Sequence, residues 1–272
     1  MSTLTYALTD SRTMLRRTLR RMIRYPSMTV LVIGLPLVLM LLFVYVFGGT
    51  LGAGLGGVTG GRQAYLNYLV PGILTITIAG VAQGTAISIA MDMAAGIIAR
   101  FRTMAISRSS VLTGHVLGAL IQNVFAVLII LAVALLIGFR PSAGPLGWLG
   151  VAGMVLLLGL AVTWLSVAMG LKAKSVETAS NTPMILMLLP FLGSGFVPTA
   201  SLPAGLRWFA EYQPFTPVTE TLRALLAGAP VGHHAIEAVA WCVAIALGSY
   251  LWAVRLFNRF PRKARWLNTG PA

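Results

Sequence analysis

Apolar residues along this chain run in six long blocks, and polar residues gather in the short intervals between them. The blocks cover about 28–47, 66–91, 112–138, 146–170, 179–198 and 236–255. Each is close to the roughly 20 residues that an α-helix needs to cross about 30 Å of hydrocarbon at about 1.5 Å per residue. The pattern predicts an all-α membrane protein with six transmembrane helices. It leaves no room for a separate soluble domain, so the chain reads as one domain. Residues 1–26 precede the six-span core at 27–256, and a tail follows at 257–272.

The intervals predict further elements. Before the first block, Arg12, Arg16, Arg20 and Arg24 recur every four residues, and Leu8, Leu15, Leu19 and Met22 form an apolar stripe beside them. This predicts an amphipathic helix lying on the membrane surface, capped by Asp10 or Ser11 and ended by Pro26. Residues 48–61 read as a glycine-rich loop. Between blocks five and six, two short helices are expected at about 203–212 and 217–227, opened by Pro203 and Pro217. Arg207 with Glu211, and Glu220 with Arg223, have helical pair spacing. Both helices are too short to span, so they dip into the outer leaflet or cap the external mouth.

Composition and charge fix the orientation. The chain has 272 residues, 57% hydrophobic and 10% charged, with a net charge of +14. Arg12, Arg16, Arg17, Arg20, Arg21 and Arg24, then Arg100, Arg102 and Arg108, then Lys172 and Lys174, then Arg255, Arg259, Arg262, Lys263 and Arg265 all fall on one side of the six-span pattern. Only Arg62, Arg140, Arg207 and Arg223 fall on the other. This is the positive-inside asymmetry, with both termini cytoplasmic. The basic residues set orientation and meet anionic headgroups, and no basic face is left for nucleic acid. The single cysteine, Cys242, rules out a disulfide framework within the chain. The first block is too long for the apolar region of a secretory signal peptide.

Several chemistries are absent. Gly52, Gly54 and Gly57 have dinucleotide-loop spacing, but no strand precedes them and the topology places them outside the cell. No phosphate loop ending in Lys-Ser/Thr occurs, so the chain is not expected to hydrolyse ATP. No acidic residue sits at a span midplane: Asp92 and Glu177 lie near cytoplasmic ends, and Glu237 begins block six. That disfavours ion-coupled transport. His233 and His234 are adjacent, adjacent residues on a helix point apart and no third ligand is expected nearby in the sequence, so they read as loop histidines rather than metal ligands. His115 reads as an interfacial histidine. No catalytic set is legible, and no metal is expected.

Polar residues inside spans are Thr75, Thr77, Gln83, Thr85 and Ser88, Gln122 and Asn123, and Asn181 and Thr182. The simplest role for each is a helix–helix hydrogen bond worth about 1 kcal/mol or less. Spans two and five also carry Pro71, Pro183 and Pro190, which permit the bending that gating needs. A translocation path is therefore expected to use Thr75, Gln83, Asn181, Thr182, Pro190 and Phe191.

The order of short motifs carries a resemblance. Arg24-Tyr25-Pro26 precedes span one and Phe43-Val44-Tyr45-Val46-Phe47-Gly48-Gly49 ends it. Tyr68-Leu69-Val70-Pro71-Gly72 opens span two. Gly96-Ile97-Ile98-Ala99-Arg100-Phe101-Arg102 leads through Arg108 to Gly114. Phe196-Val197-Pro198, then Pro203, Glu211-Tyr212-Gln213-Pro214 and Leu222-Arg223-Ala224-Leu225-Leu226-Ala227-Gly228 follow span five. Over nearly the whole chain this resembles the type-2 ABC exporter permeases, and most closely the daunorubicin-resistance permeases of actinobacteria. The chain departs from that pattern with Ala105 where proline is usual and His115 where arginine is frequent. The family's acidic residue near the end of span two is matched by Asp92.

The resemblance implies a permease in the bacterial plasma membrane that pairs with a second copy or a paralogue to give a twelve-helix pathway. Two copies of a separate ABC ATPase would dock beneath it and would hold ATP and Mg, this chain binding no cofactor itself. The segment around 93–104 would be the coupling helix, with Phe101 and Met104 as apolar anchors and Arg100 and Arg102 as charged contacts, flanked by Asp92 and Arg108. Pro198, Glu211, Pro214 and Arg223 form the external signature. The implied cargo is an amphipathic drug or antibiotic. The alternatives are a lipid or lipid-linked glycan and, more remotely, an ion-coupled drug antiporter or a membrane scaffold that transports nothing.

Overall fold

A computed structural model describes residues 26–53, 61–96 and 108–259. The expected surface helix before Pro26, the segment holding Arg100, Phe101, Arg102 and Met104, and the tail after residue 259 lie outside these. The described residues form helices and turns, with no strand among them. In chain order they are α1 (Pro26–Leu42), a π-helical turn (Phe43–Phe47), α2 (Gly48–Ala53), α3 (Arg62–Ala94), α4 (Arg108–Leu136) and α5 (Pro145–Lys172). Then come α6 (Val176–Asn181), α7 (Met184–Leu188), a 3₁₀ turn (Thr199–Ser201), α8 (Ala204–Tyr212), α9 (Phe215–Leu226) and α10 (His234–Arg259).

Among the described residues, five stretches are long and apolar enough to cross a membrane: Val32–Ala53, Arg62–Ala94, Leu112–Leu136, Pro145–Lys172 and His234–Phe257. α3 is apolar on every side and lies at the centre, as such a helix must. α1, α4, α5 and the α6–α7 segment surround it, and α10 packs on α5 and α9. α1, α4 and α10 turn large apolar side chains outward, among them Val38, Phe125, Leu128, Ile236 and Leu247.

Two expectations need correction. The glycine-rich stretch is not loop from residue 48: helix continues to Ala53. A Cβ at Gly52 would lie 2.0 Å from the Gly61 carbonyl oxygen, so glycine there permits close packing of α2 on the start of α3. The block at 179–198 is not one helix. α6 and α7 are separated at Thr182–Pro183, and turns follow from Leu189 to Val197. Pro183 and Pro190 each lack the N–H that an uninterrupted helix would use, and their rings crowd the preceding turn.

The broken stretch is fastened along α3. Gln83 Nε2 donates to the Ser180 carbonyl at 2.8 Å, Tyr68 Oη to that of Ser194 at 2.8 Å, and Tyr65 Oη to that of Phe196 at 3.3 Å. At Gly72 the two backbones meet, and an added Cβ would lie 2.2 Å from the Gly195 oxygen. Lipid gives apolar side chains little reason to prefer protein, so backbone approach through small residues supplies packing instead. Gly170 does the same between α5 and α3, where a Cβ would lie 2.8 Å from the Ala86 oxygen.

Candidate functional site

The end of the bundle where α9 meets the start of α3 is organised around Arg223, on the last turn of α9. Its guanidinium lies 3.7 Å over the Tyr68 ring. Nε and Nη2 donate to the Tyr68 carbonyl at 3.3 and 3.2 Å, Nη2 donates to the Ser194 carbonyl at 2.7 Å, and Nη1 donates to Glu220. A planar fork with fixed donors suits three acceptors from three segments at once. One side chain thereby joins α9, the start of α3 and the far end of the broken stretch. The sequence marks Arg223 and Tyr68 in separate motifs, 155 positions apart, and nothing in either motif pairs them.

A second tie lies beside it. Breaking the helix at Pro190 turns the Gly193 N–H toward the Pro190 carbonyl, and the Leu189 carbonyl accepts the Leu192 N–H at 3.1 Å instead, with room for a second donor. Gln213 Nε2 donates to it at 2.9 Å. Gly193 makes room, since a Cβ there would lie 2.2 Å from that nitrogen. Gly193 does not stand out in the sequence and Gln213 appears there only as part of the motif Glu211–Pro214, because the break that they serve is itself a feature of the fold.

Other residues of the external signature serve local structure. Pro198 accepts the Ser201 N–H and hydroxyl at the 3₁₀ turn. Glu211 accepts from Arg207 at 2.8 Å, and both are exposed. Pro214 is the N-cap of α9, which starts at Phe215 rather than Pro217. Proline is tolerated there because the first helical N–H groups have no intrahelical partner. A cleft of about 270 Å³ lies below Arg223, lined by Asn67, Tyr68, Arg140 and Ser142 among others. Drug-sized sites begin near about 300 Å³, so this cleft alone does not house such a molecule.

The residues expected to line a path are scattered. The Thr75 hydroxyl is buried and bonded to the Gly72 carbonyl of its own helix. Gln83 holds Ser180, next to Asn181 and Thr182, which are exposed, and the Thr182 hydroxyl returns to the Thr178 carbonyl. Pro190 is buried at the break. Phe191 is partly exposed and stacked on Phe196, with ring centroids 4.3 Å apart. Gln83 is thus bonded to the segment that carries Asn181 and Thr182. Asn123 is fully buried facing α5, with neither amide atom bonded to protein.

At the end of the bundle where α3 leads toward α4, Asp92 is 3% exposed. Its carboxylate lies 3.2 Å from His115 Nε2, also buried. The pair ties the end of α3 to the start of α4, at the roots of the segment between them. Ile89, Met93, Leu112, Val116, Leu171 and Phe257 form the apolar cluster around that level. Arg108 is the first residue of α4. His115→Ala is expected to cost about 1.5 kcal/mol, the lower end for a hydrogen bond to a charged group. Replacement by glutamine, which keeps a donor, is expected to recover at least half in thermal unfolding.

With the geometry described, the relationships of the chain are informative. The family profile described as ABC-2 type transporter matches residues 9–227. The chain is 27% identical over 205 residues to the daunorubicin resistance ABC transporter permease protein DrrB1 of Streptomyces coeruleorubidus, covering 75% of this chain and 70% of that protein. It is 26% identical over 162 residues to the probable doxorubicin resistance ABC transporter permease protein DrrC of Mycobacterium tuberculosis, covering 60% of this chain and 59% of that one.

Proposed function

This chain belongs to the ABC-2 type transporter family, and on that premise we propose that it is the membrane permease subunit of an ATP-driven exporter of amphipathic drugs. The match over residues 9–227, with relatives named for daunorubicin and doxorubicin resistance, is the observation that carries this reading. ATP hydrolysis belongs to a separate ABC ATPase, two copies of which dock on a permease dimer in the bacterial plasma membrane.

The broken stretch is the remaining crossing. Its bonds to α3 run from Gln83 to Tyr65, which is about 27 Å of helix at roughly 1.5 Å per residue. That is close to the hydrocarbon thickness of about 30 Å. Six crossings place both termini on the arginine-rich cytoplasmic side, and α8 and α9 re-enter from outside. Met184, Ile185, Leu188 and Leu192 on this crossing face outward. They meet a second copy, and the pathway runs along that seam rather than inside one chain.

Coupling runs through the segment between α3 and α4. Phe101, Met104, Arg100 and Arg102 make the contacts with the ATPase, while Asp92 and His115 hold the roots of the segment from within. Changing Phe101 and Arg102 to alanine is expected to remove an interface anchor worth about 2 kcal/mol, or roughly thirtyfold in affinity. Co-purification of the ATPase with the double variant measures this, and undiminished recovery would defeat the assignment.

A further inference from the structure

The junction between α9 and α10 holds a cluster that export does not use. Gly228 and Gly232 take φ values of +65° and +60° there, a conformation that side chains rarely permit. His233 therefore lies just before α10 rather than on it, and its carbonyl accepts the Ile236 and Glu237 N–H groups at 3.0 and 3.2 Å. The expectation that neighbouring histidines point apart fails for that reason: the two rings come within 4.1 Å, centroid to centroid. Glu237 joins them from the next turn, and the donor atoms of all three residues lie within 4.8 Å of one another.

We propose that His233, His234 and Glu237 bind one borderline divalent metal ion of the zinc class on the external face of the protein. Two imidazoles and one carboxylate favour zinc or a neighbouring transition metal over magnesium or calcium, which prefer all-oxygen sites. His234 Nδ1 is 3.5 Å from Glu237 Oε2. Two ligand atoms each about 2.1 Å from a tetrahedral zinc lie roughly 3.4 Å apart, so this pair already has the ligand spacing. The same nitrogen is shut off from solvent and has no hydrogen-bond partner, which leaves its lone pair for a metal. Glu237 offsets the positive end of α10 that would otherwise repel a cation. The remaining positions go to water. A bound ion ties the loop after α9 to the first turn of α10.

The test is zinc binding by the full-length chain, carried on a tag without histidine and titrated by calorimetry in detergent. The chain has three histidines and one cysteine. The other histidine, His115, is buried at the opposite end, and Cys242 is buried as well, so background binding is low. One equivalent is expected for the native chain. His233→Ala and Glu237→Gln should each weaken binding at least about tenfold, since losing a ligand costs no less than losing its supporting partner. Each variant should keep the native melting temperature measured without metal, which separates a lost site from a lost fold. No binding by the native chain, native-like binding by the double variant, or displacement of zinc by millimolar magnesium would overturn the proposal. The outcome does not depend on the ATPase or on any cargo.

Discussion

Arg223→Ala is expected to destabilise the protein by about 3 kcal/mol and to lower the cargo exported per ATP hydrolysed. The change removes donors to the Tyr68 and Ser194 carbonyls at 3.2–3.3 and 2.7 Å and the stacking on Tyr68. Charge-assisted bonds contribute about 1.5–3 kcal/mol each when buried, and the stacked cation adds about 1 kcal/mol. The whole is less than that sum. Two of the bonds are long, Ser194 keeps the Tyr68 hydroxyl as donor, and Glu220, 29% exposed, regains water when released. Lysine at 223 should restore less than half, because a single ammonium cannot span both carbonyls. Thermal unfolding and the flux-to-hydrolysis ratio report the two effects. A variant with native values of both would show that the tie between α9 and the broken stretch is not used.

The second large effect is expected at Gly72. A side chain there points at the Gly195 backbone, with the added Cβ 2.2 Å from its oxygen and 2.7 Å from its carbonyl carbon and Cα. Backbone cannot rotate away as a side chain can, so α3 and the broken stretch must separate. The neighbouring bonds from Tyr65 and Tyr68 stretch with them. Gly72→Val should therefore cost about 3 kcal/mol or more, at the upper end for overpacking. Gly84, three turns on along α3, has nothing within 4 Å of an added Cβ. Gly84→Ala should be neutral or stabilise by up to about 1 kcal/mol through helix propensity. Equal losses at the two positions in denaturation experiments would contradict this account of the packing.

Much of the helical plan was legible because continuous apolar blocks have one common solution in lipid. The blocks at 66–91, 112–138, 146–170 and 236–255 fall within α3, α4, α5 and α10, apart from two residues after the end of α4. The departures share a cause. The sequence at 179–198 is apolar at its middle, from Met184 to Leu189, and so reads as a span, while Pro183 and Pro190 are the signals that its backbone will break. How far it unwinds depends on acceptors and donors elsewhere, on Gln83, Gln213 and Arg223. The same holds for Gly52, which reads as loop until its contact with Gly61 is known. Asp92 looks like a surface contact in the sequence, because burial and pairing with His115 arise only when α3 and α4 come together. The two histidine rings come together, where the sequence suggests that they diverge, because His233 precedes the helix that His234 begins. Arg223 reads as an external residue in the sequence, but its carbonyl partners, Tyr68 and Ser194, lie in segments far along the chain.

The measurement that bears most directly on the central claim is drug transport by proteoliposomes containing this chain with its ATPase. An amphipathic drug should move toward the face that carries Arg223, only while ATP is hydrolysed, and at the same rate when an uncoupler has removed the proton gradient. Transport that continues without ATP and collapses with the gradient, or hydrolysis that no drug stimulates and no drug movement accompanies, would contradict the reading of this chain as the permease of an ATP-driven drug exporter.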